Sequence, residues 1–186
     1  MKLTTLSIAA AVLLSSSAFA AQPGFFAGVN AGYGDTHYPS ISAPLSTKTT
    51  GVAYDLNGGY NFTNYFGVEA NANRDANVKI KHAGQTLATY KYYDADLLAN
   101  GYLNVADNFD LVGKAGMAYV KTSKYTQVSK NSFYRPKAVV GVMYTLADDN
   151  VSVSATYSRI FKQGNVASVK YVPNVDVAAI SVDYLF

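Results

Sequence analysis

Two histidines, His37 and His82, carry the side chains best suited to acid–base chemistry near neutral pH. Both fall in polar segments between predicted strands, where a solvated histidine needs no catalytic explanation. The chain has no cysteine, and its His, Asp and Glu residues show no metal-ligating spacing. Its sequence contains no phosphate-binding loop and no nucleic-acid-binding motif. We therefore predict no catalytic residues, no metal, no cofactor and no nucleic-acid partner.

Charged side chains also stand at alternate positions within otherwise apolar segments. Pairing the segments that contain Asp96 and Lys114 about their shared turn brings these two side chains close together, with Glu69 on the next segment at a similar height. Charges removed from water must be paired or must change their protonation state. We predict that Glu69, Asp96 and Lys114 form one hydrogen-bonded network that plugs an interior. A cation-selective path along the same charges is the alternative.

The other cations have a different distribution. Of the 15 Lys and Arg residues, all except Lys2 and Lys114 lie in long polar segments or in the strand ends next to them. Arg74, Lys121 and Arg159 keep the apolar parity of their strands, so their side chains are predicted to point outward at the border of an apolar surface. A lipid-facing cation is costly at the middle of a bilayer and nearly neutral at its interface. This energy difference predicts that all three lie at an interface.

These side chains are positioned by segments in which apolar and polar residues alternate, which is the period of a β-strand. The clearest segment is 174–186, where Ala178, Ile180, Val182 and Tyr184 share one face with Phe186. Seven similar segments precede it: 25–34, 52–62, 66–73, 93–103, 109–119, 135–146 and 151–158.

The connections between these segments are alternately short and long. Three are tight turns, and the four long ones are the polar stretches 35–48, 79–86, 122–133 and 162–173. This alternation is typical of outer-membrane barrels with periplasmic turns, periplasmic termini and extracellular loops. A charged interior argues against a lipocalin-like barrel, which holds an apolar ligand. The predicted fold class is all-β, an eight-stranded antiparallel up-and-down transmembrane β-barrel.

The N-terminus has the features of a secretory signal peptide. Lys2 precedes the apolar stretch Leu6 to Leu14, and Ala18-Phe19-Ala20 is the small-x-small pattern of a cleavage site. The apolar stretch is too short for a membrane-spanning helix, which needs about 20 residues. We expect residues 1–20 to be a signal peptide cleaved before Ala21, and residues 21–186 to form the barrel domain.

The turn and strand GYNFTNYFGVEA (Gly59 to Ala70) and the last strand ending in Phe186 resemble a known family. This family is the small eight-stranded outer-membrane barrels typified by the OmpA transmembrane domain, OmpX and the opacity-type surface proteins. The resemblance covers the mature chain, and its members include anchors, adhesins and narrow pores. It implies assembly by the outer-membrane insertion machinery, with an assembly signal formed by Ile180, Val182, Tyr184 and Phe186. Because the sequence stops at Phe186, we expect no peptidoglycan-binding domain of the OmpA kind.

Some eight-stranded barrels modify lipid A with a His, a Ser and an acid, which provides an enzymatic alternative. The deacylase type places its Ser and His near the end of the barrel, and no histidine follows His82 here. In the palmitoyltransferase type His37 could serve, but the second loop has no Asp-Ser pair to join it. We therefore expect that the protein is not an enzyme.

The predicted location is the outer membrane, and the predicted role is structural or surface-interacting, with a plugged lumen. The phosphates of lipopolysaccharide lie at the height expected for Arg74, Lys121 and Arg159, so we predict that these three residues contact them. Any host or surface ligand is expected at the four long loops, and the barrel is expected to be a monomer. A narrow cation-preferring pore is the main alternative, and a lipid A-modifying enzyme is the lesser one.

Overall fold

The computed structural model describes residues 21–37, 45–75, 77–82, 85–124, 131–146, 150–161 and 174–186. None of the described residues belongs to a helix with the length and apolar character needed to cross a membrane. The described chain forms ten strands: β1 (Gly24–His37), β2 (Leu45–Lys48), β3 (Thr50–Asn61), β4 (Phe66–Arg74), β5 (Val78–His82), β6 (Gln85–Ala106), β7 (Phe109–Lys124), β8 (Asn131–Thr145), β9 (Val151–Ile160) and β10 (Asn174–Leu185).

Eight of these strands close into a barrel. Each of β1, β3, β4, β6, β7, β8, β9 and β10 pairs antiparallel with the next, and β10 pairs with β1, for example at Val29 opposite Val182. Closure removes the unpaired edges that an open sheet would present. The predicted fold class, a closed eight-stranded antiparallel barrel, is therefore confirmed. We call the end of the barrel that contains Ala21 and Phe186 the terminal end, and the opposite end the far end.

The strands reach beyond the predicted boundaries at the far end. The predicted loops 35–48 and 79–86 contain β2 and β5, which pair with each other, and β5 also pairs with the first residues of β6. In the same way β7 and β8 extend into the predicted loop 122–133, whereas the predicted loop 162–173 lies outside the described residues. Alternation of apolar and polar residues occurs only where the two faces of a strand meet surroundings of different polarity. Backbone pairing continues beyond it without that signal, which is why the predicted strands were too short.

The two faces of the barrel wall have opposite character. Along β6, Asp94, Asp96 and Asn100 are buried, while the intervening Leu97 and Ala99 are exposed. Large apolar side chains stand on the outer face of most strands, including Val29, Leu56, Leu97, Val140 and Ile180. Such a continuous apolar exterior is far larger than a monomeric soluble protein exposes, and it fits a hydrocarbon surrounding.

Aromatic side chains collect at both ends of the outer face. Near the terminal end, ring pairs form between neighbouring strands at 4.7 Å for Phe25 with Tyr60 and 4.7 Å for Phe109 with Tyr144. Near the far end, the rings of Tyr119 and Tyr134 lie 5.1 Å apart. Aromatic belts of this kind are typical of the two interfaces of a membrane barrel. They place the apolar exterior between two polar boundaries.

Candidate functional site in the lumen and on the outer rim

One group of charges lies in the lumen, in the half nearer the terminal end. Lys114 Nζ of β7 lies 2.6 Å from Glu69 Oε2 of β4. The same oxygen accepts a hydrogen bond from Asn100 Nδ2 at 3.1 Å, and Tyr102 OH donates to Asn61 Oδ1 at 3.1 Å. Charge-assisted hydrogen bonds of this kind are stronger than neutral ones. Together these contacts join β3, β4, β6 and β7 inside the barrel.

A second group lies nearer the far end and is more deeply buried. Lys137 Nζ of β8 is hydrogen-bonded to Asp96 Oδ2 and lies 3.4 Å from Asp94 Oδ2. Asn71 Nδ2 donates to Asp96 at 2.6 Å, and Asn73 Nδ2 donates to Asp94 at 2.6 Å. The side chains of both carboxylates are 0% exposed, and that of Lys137 is 8% exposed. Two buried carboxylates therefore share one buried cation.

The predicted single network of Glu69, Asp96 and Lys114 is corrected by these contacts. Lys114 pairs with Glu69, but Asp96 pairs with Lys137 instead. In the register of β6 and β7, Asp96 stands opposite Ala118, whereas Lys114 stands opposite Asn100. Lys137 has the inward parity of its strand, but the sequence groups it with the basic strand ends, because no local pattern determines how far β8 slides along β7.

Two polar cavities of about 40 Å³ each remain in the lumen. One is lined by Tyr102 and Asp183 and the other by Asp55 and Lys137, while Glu69 and Lys114 border both. A cavity of this size is large enough for a few water molecules. The Lys114–Glu69 ion pair is thus part of the partition between two polar chambers.

Asp75 lies directly after β4, and no motif or alternation in the sequence singles it out. Its side chain is buried, and its backbone N donates to Tyr92 O at 3.2 Å. Burial raises the pKa of the Asp75 carboxyl well above its ordinary value, and the neighbouring Asp94 carboxylate raises it further. The Lys137 ammonium lowers this pKa, whereas the Asp96 carboxylate raises it. The signal that could have identified Asp75 is its position one residue beyond a strand end, next to an acidic inward face.

The raised pKa of Asp75 predicts how stability depends on pH. Because the folded state holds this proton more tightly than the unfolded state, the stabilisation is complete below the unfolded pKa and is lost as the pH rises through the folded pKa. Asp75→Asn removes this loss, so its thermal midpoint should exceed that of the wild type by more at pH 8 than at pH 4. The measurement is a pH series of thermal melts. Asp107→Asn, which removes an exposed acid from the turn at the terminal end, is the matched control, and a gain from Asp75→Asn that shrinks with rising pH would contradict the prediction.

On the outer face, two of the three predicted rim cations lie together. Arg74 stands opposite Tyr93, and Tyr93 stands opposite Lys121, so the Cα atoms of Arg74 and Lys121 are two strand spacings, or about 10 Å, apart. Arg74 Nη1 donates to Tyr54 OH at 2.6 Å, and its guanidinium lies 5.9 Å from the centre of the Tyr93 ring. Among the described residues, no carboxylate lies within 4.0 Å of Arg74 or Lys121.

Arg159 is in a different environment. Its Nε lies 2.6 Å from Asp176 Oδ1 and its Nη2 lies 2.8 Å from Asp176 Oδ2, a bidentate ion pair. His37 Nδ1 lies 3.1 Å from the same carboxylate. Asp176 therefore already neutralises Arg159. The side chain of His82 is outside the part of the chain that the structure describes.

A shallow groove runs along the outer face below Arg74 and Lys121. Its floor consists of Ala72 and Ala95, which stand opposite each other on β4 and β6. Larger side chains border this floor on both sides, with Leu56 on β3 and Tyr119 on β7. The groove is mostly carbon surface, with the two cations and Tyr93 at its far end.

The four residues of the predicted assembly signal, Ile180, Val182, Tyr184 and Phe186, are all exposed on the outer face of β10 or just after it. The rings of Tyr184 and Phe186 lie 5.1 Å apart, and the backbone N of Phe186 donates to Phe25 O at 2.8 Å. The last residue is therefore attached to the first strand of the barrel. Its recognition during assembly stays a prediction.

Known proteins share both the sequence pattern and the barrel. The family model for the outer membrane protein beta-barrel domain matches residues 6–186. Outer membrane protein P5 of Haemophilus influenzae is 32% identical over 139 residues, which are 66% of this chain and 39% of P5. An uncharacterised protein of Coxiella burnetii is 28% identical over 168 residues, which are 69% of this chain and 65% of that protein. The chain thus spans less than two thirds of the length of either relative.

Solved structures show the same architecture. Neisserial surface protein A is 16% identical with a TM-score of 0.66, and the match covers 88% of this chain and 97% of that one. OprG of Pseudomonas aeruginosa is 12% identical with a TM-score of 0.61, covering 90% of this chain and 100% of that one. At such low identity these structures establish the fold alone. Together with the family match over nearly the whole sequence, they show that this chain belongs to the outer membrane protein β-barrel domain family and is an outer-membrane β-barrel.

Proposed function

We propose that the protein is a non-conducting outer-membrane barrel with a structural or surface-interaction role, whose far end faces the cell exterior. The observation that carries this proposal is that two ion-paired groups project into the lumen, each linking two strands that flank a third. Lys114 with Glu69 links β7 to β4, and Lys137 with Asp96 links β8 to β6. An interior of eight strands is just wide enough to be filled by side chains. The termini then lie in the periplasm, as in other barrels of this type.

A planar bilayer measurement tests the plug. Wild-type barrels should show no steady single-channel current in about 1 M salt, where the electrostatic screening length is roughly 3 Å. A narrow cation-preferring pore is the second candidate, and the two polar cavities bordered by Glu69 and Lys114 favour it. Steady currents with a preference for cations would support that pore and contradict the plug.

A non-enzymatic role is supported by the surroundings of His37. The imidazole contacts Asp176, and in the described part of the chain no serine hydroxyl is hydrogen-bonded to it. A His–Ser–acid arrangement requires a nucleophile within hydrogen-bond reach of the base. Release of free fatty acid from lipid A by the purified barrel, lost in His37→Ala, would contradict this role.

We also propose that the outer groove binds lipopolysaccharide through its lipid A part. A phosphate can be held by the Arg74 guanidinium and the Lys121 ammonium, and an acyl chain can lie along the groove over Ala72 and Ala95. Their lack of a carboxylate partner in the described residues supports this assignment. We expect a smaller contribution from Arg159, because Asp176 already neutralises it.

The thermal midpoint of the refolded barrel, measured with and without lipid A, tests this site. A ligand that binds only the folded state must raise the midpoint. We expect Arg74→Gln combined with Lys121→Gln to lose most of the shift, and Ala95→Phe to lose it by filling the groove floor. Arg159→Gln is the matched control and should keep most of it. An equal shift in all four proteins would rule out the groove.

The source of the anion can be separated with two further probes. Lipid A without phosphates tests the acyl contribution, and sucrose octasulfate tests a soluble polyanion. The attachment invasion locus protein of Yersinia pestis, which shares this fold with a TM-score of 0.53 and 14% identity, was crystallised with that heparin analogue. We expect intact lipid A to give the largest shift, because it alone offers both phosphates and acyl chains. A larger shift with sucrose octasulfate would instead favour a surface polyanion as the partner.

A further inference from the structure

The first described residues fold back into the terminal end of the lumen. Ala21 is 2% exposed and packs with Tyr102, Val112 and Met143. Asn61 Nδ2 also donates to the backbone oxygen of Gln22, the residue after Ala21, at 3.1 Å. Gly24, the first residue of β1, has a φ of +150°, a backbone conformation that favours glycine, where this segment joins the strand. The segment therefore belongs to the packed interior of the barrel.

The backbone N of Ala21 points at a buried carboxylate. It donates to Asp110 Oδ2 at 2.8 Å, while Asn104 Nδ2 donates to Asp110 Oδ1 at 2.9 Å. Asp110 is 1% exposed. Among the described residues, no Lys or Arg nitrogen lies within 4.0 Å of this carboxylate. A buried carboxylate without a cation is strongly unfavourable.

We propose that Ala21 is the first residue of the mature protein and that its α-ammonium group is the counter-ion of Asp110 inside the barrel. Hydrolysis of the Ala20–Ala21 peptide bond by a signal peptidase adds one water molecule, leaving a carboxylate on Ala20 and a protonated amine on Ala21. This step replaces a neutral amide with one donor by an ammonium with three donors and a positive charge. Processing thus creates the missing partner of Asp110.

The position of Ala21 provides a second, steric reason for cleavage at this bond. The backbone N of Ala21, to which Ala20 is bonded, lies in the barrel interior, and Ala21 has almost no exposed surface. An uncut chain would have to lead from this buried atom back to solvent. Cleavage one or more residues earlier would leave such an extension in place. The Ala21–Asp110 ion pair depends neither on whether the barrel conducts ions nor on whether it binds lipid A.

The direct test is the N-terminus of the protein purified from outer membranes, determined by mass spectrometry. The expected first residue is Ala21, and any other would overturn the proposal. A mutant cycle then tests the ion pair. Chains starting at Ala21 are compared with chains carrying an added Gly-Ser before it, each with Asp110 and with Asp110→Asn, by urea unfolding in the same vesicles.

The extension should lower the folding equilibrium constant at least tenfold when Asp110 is present, and much less in the Asp110→Asn background. Equal effects in both backgrounds would overturn the ion pair. If an extended chain fails to fold, acylation of the α-amine in the unextended protein provides a second readout. Its rate at neutral pH should be at least tenfold slower in the folded barrel than in urea. Equal rates would show that the amine is exposed and would overturn the proposal.

Discussion

Lys137→Met is expected to destabilise the barrel by roughly 3–5 kcal/mol, the usual cost of removing one partner of a buried ion pair. The side chains of Asp94 and Asp96 are 0% exposed and share this single cation. Methionine keeps the apolar length of the lysine side chain, so the change removes charge and leaves the volume similar. Both carboxylates would then need protons or water to remain in the lumen. The variant should also become more stable as the pH falls, because protonation of the carboxylates relieves their repulsion.

The measurement is the free energy of unfolding from urea titration in phospholipid vesicles, followed by circular dichroism. Lys121→Met is the matched control, because Lys121 is an exposed cation on the outer face. Its removal should change the free energy by no more than about 1 kcal/mol. A loss below about 1 kcal/mol in Lys137→Met would show that the lumen is wet enough to solvate both carboxylates.

Gly116→Val is expected to destabilise the barrel by about 1–3 kcal/mol or more, because overpacking forces backbone shifts. Gly116 lies on the inward face of β7, directly opposite Lys137 on β8. A Cβ at this position would overlap the backbone oxygen of Leu97 and lie 2.9 Å from the Cα of Leu98. Backbone atoms of a paired strand cannot move aside as a flexible side chain can.

Ala115→Val is the control for this substitution. Ala115 is the preceding residue of β7 and is exposed on the outer face, where a larger apolar side chain meets lipid. The same urea titration should show little change for this variant. If the two variants unfolded at the same urea concentration, the close approach of β6 and β7 at Gly116 would not limit side-chain size.

Some features of the site were available from the sequence because they depend on local periodicity. Alternation along β6 identifies Asp96 as inward-facing and Leu97 as outward-facing, and no partner strand is needed for that inference. The number of barrel strands and the resemblance to the outer-membrane barrel family follow from the same local alternation. The parity of Arg74 and Lys121 likewise predicted that both stand on the outer face.

Other features depend on register, which the local pattern does not determine. A strand that slides by two residues keeps its faces and changes every partner. The alignment of β8 and β4 with their neighbours therefore decides that Asp96 forms its ion pair with Lys137 and that Lys114 forms its ion pair with Glu69. The neutralisation of Arg159 by Asp176 has the same cause, since the two face each other only in the register of β9 and β10.

By itself, the sequence determined that this chain is an outer-membrane barrel with a charged lumen and an apolar exterior, because period-two alternation is a property of each strand alone. Closure of the barrel decided which charges meet, since it brings β10 to β1 and places residues distant in sequence at one height. It also decided the position of Ala21, whose contact with Asp110 spans 89 residues of sequence. Contacts between residues so far apart leave no periodic signal, so only the tertiary structure could reveal them.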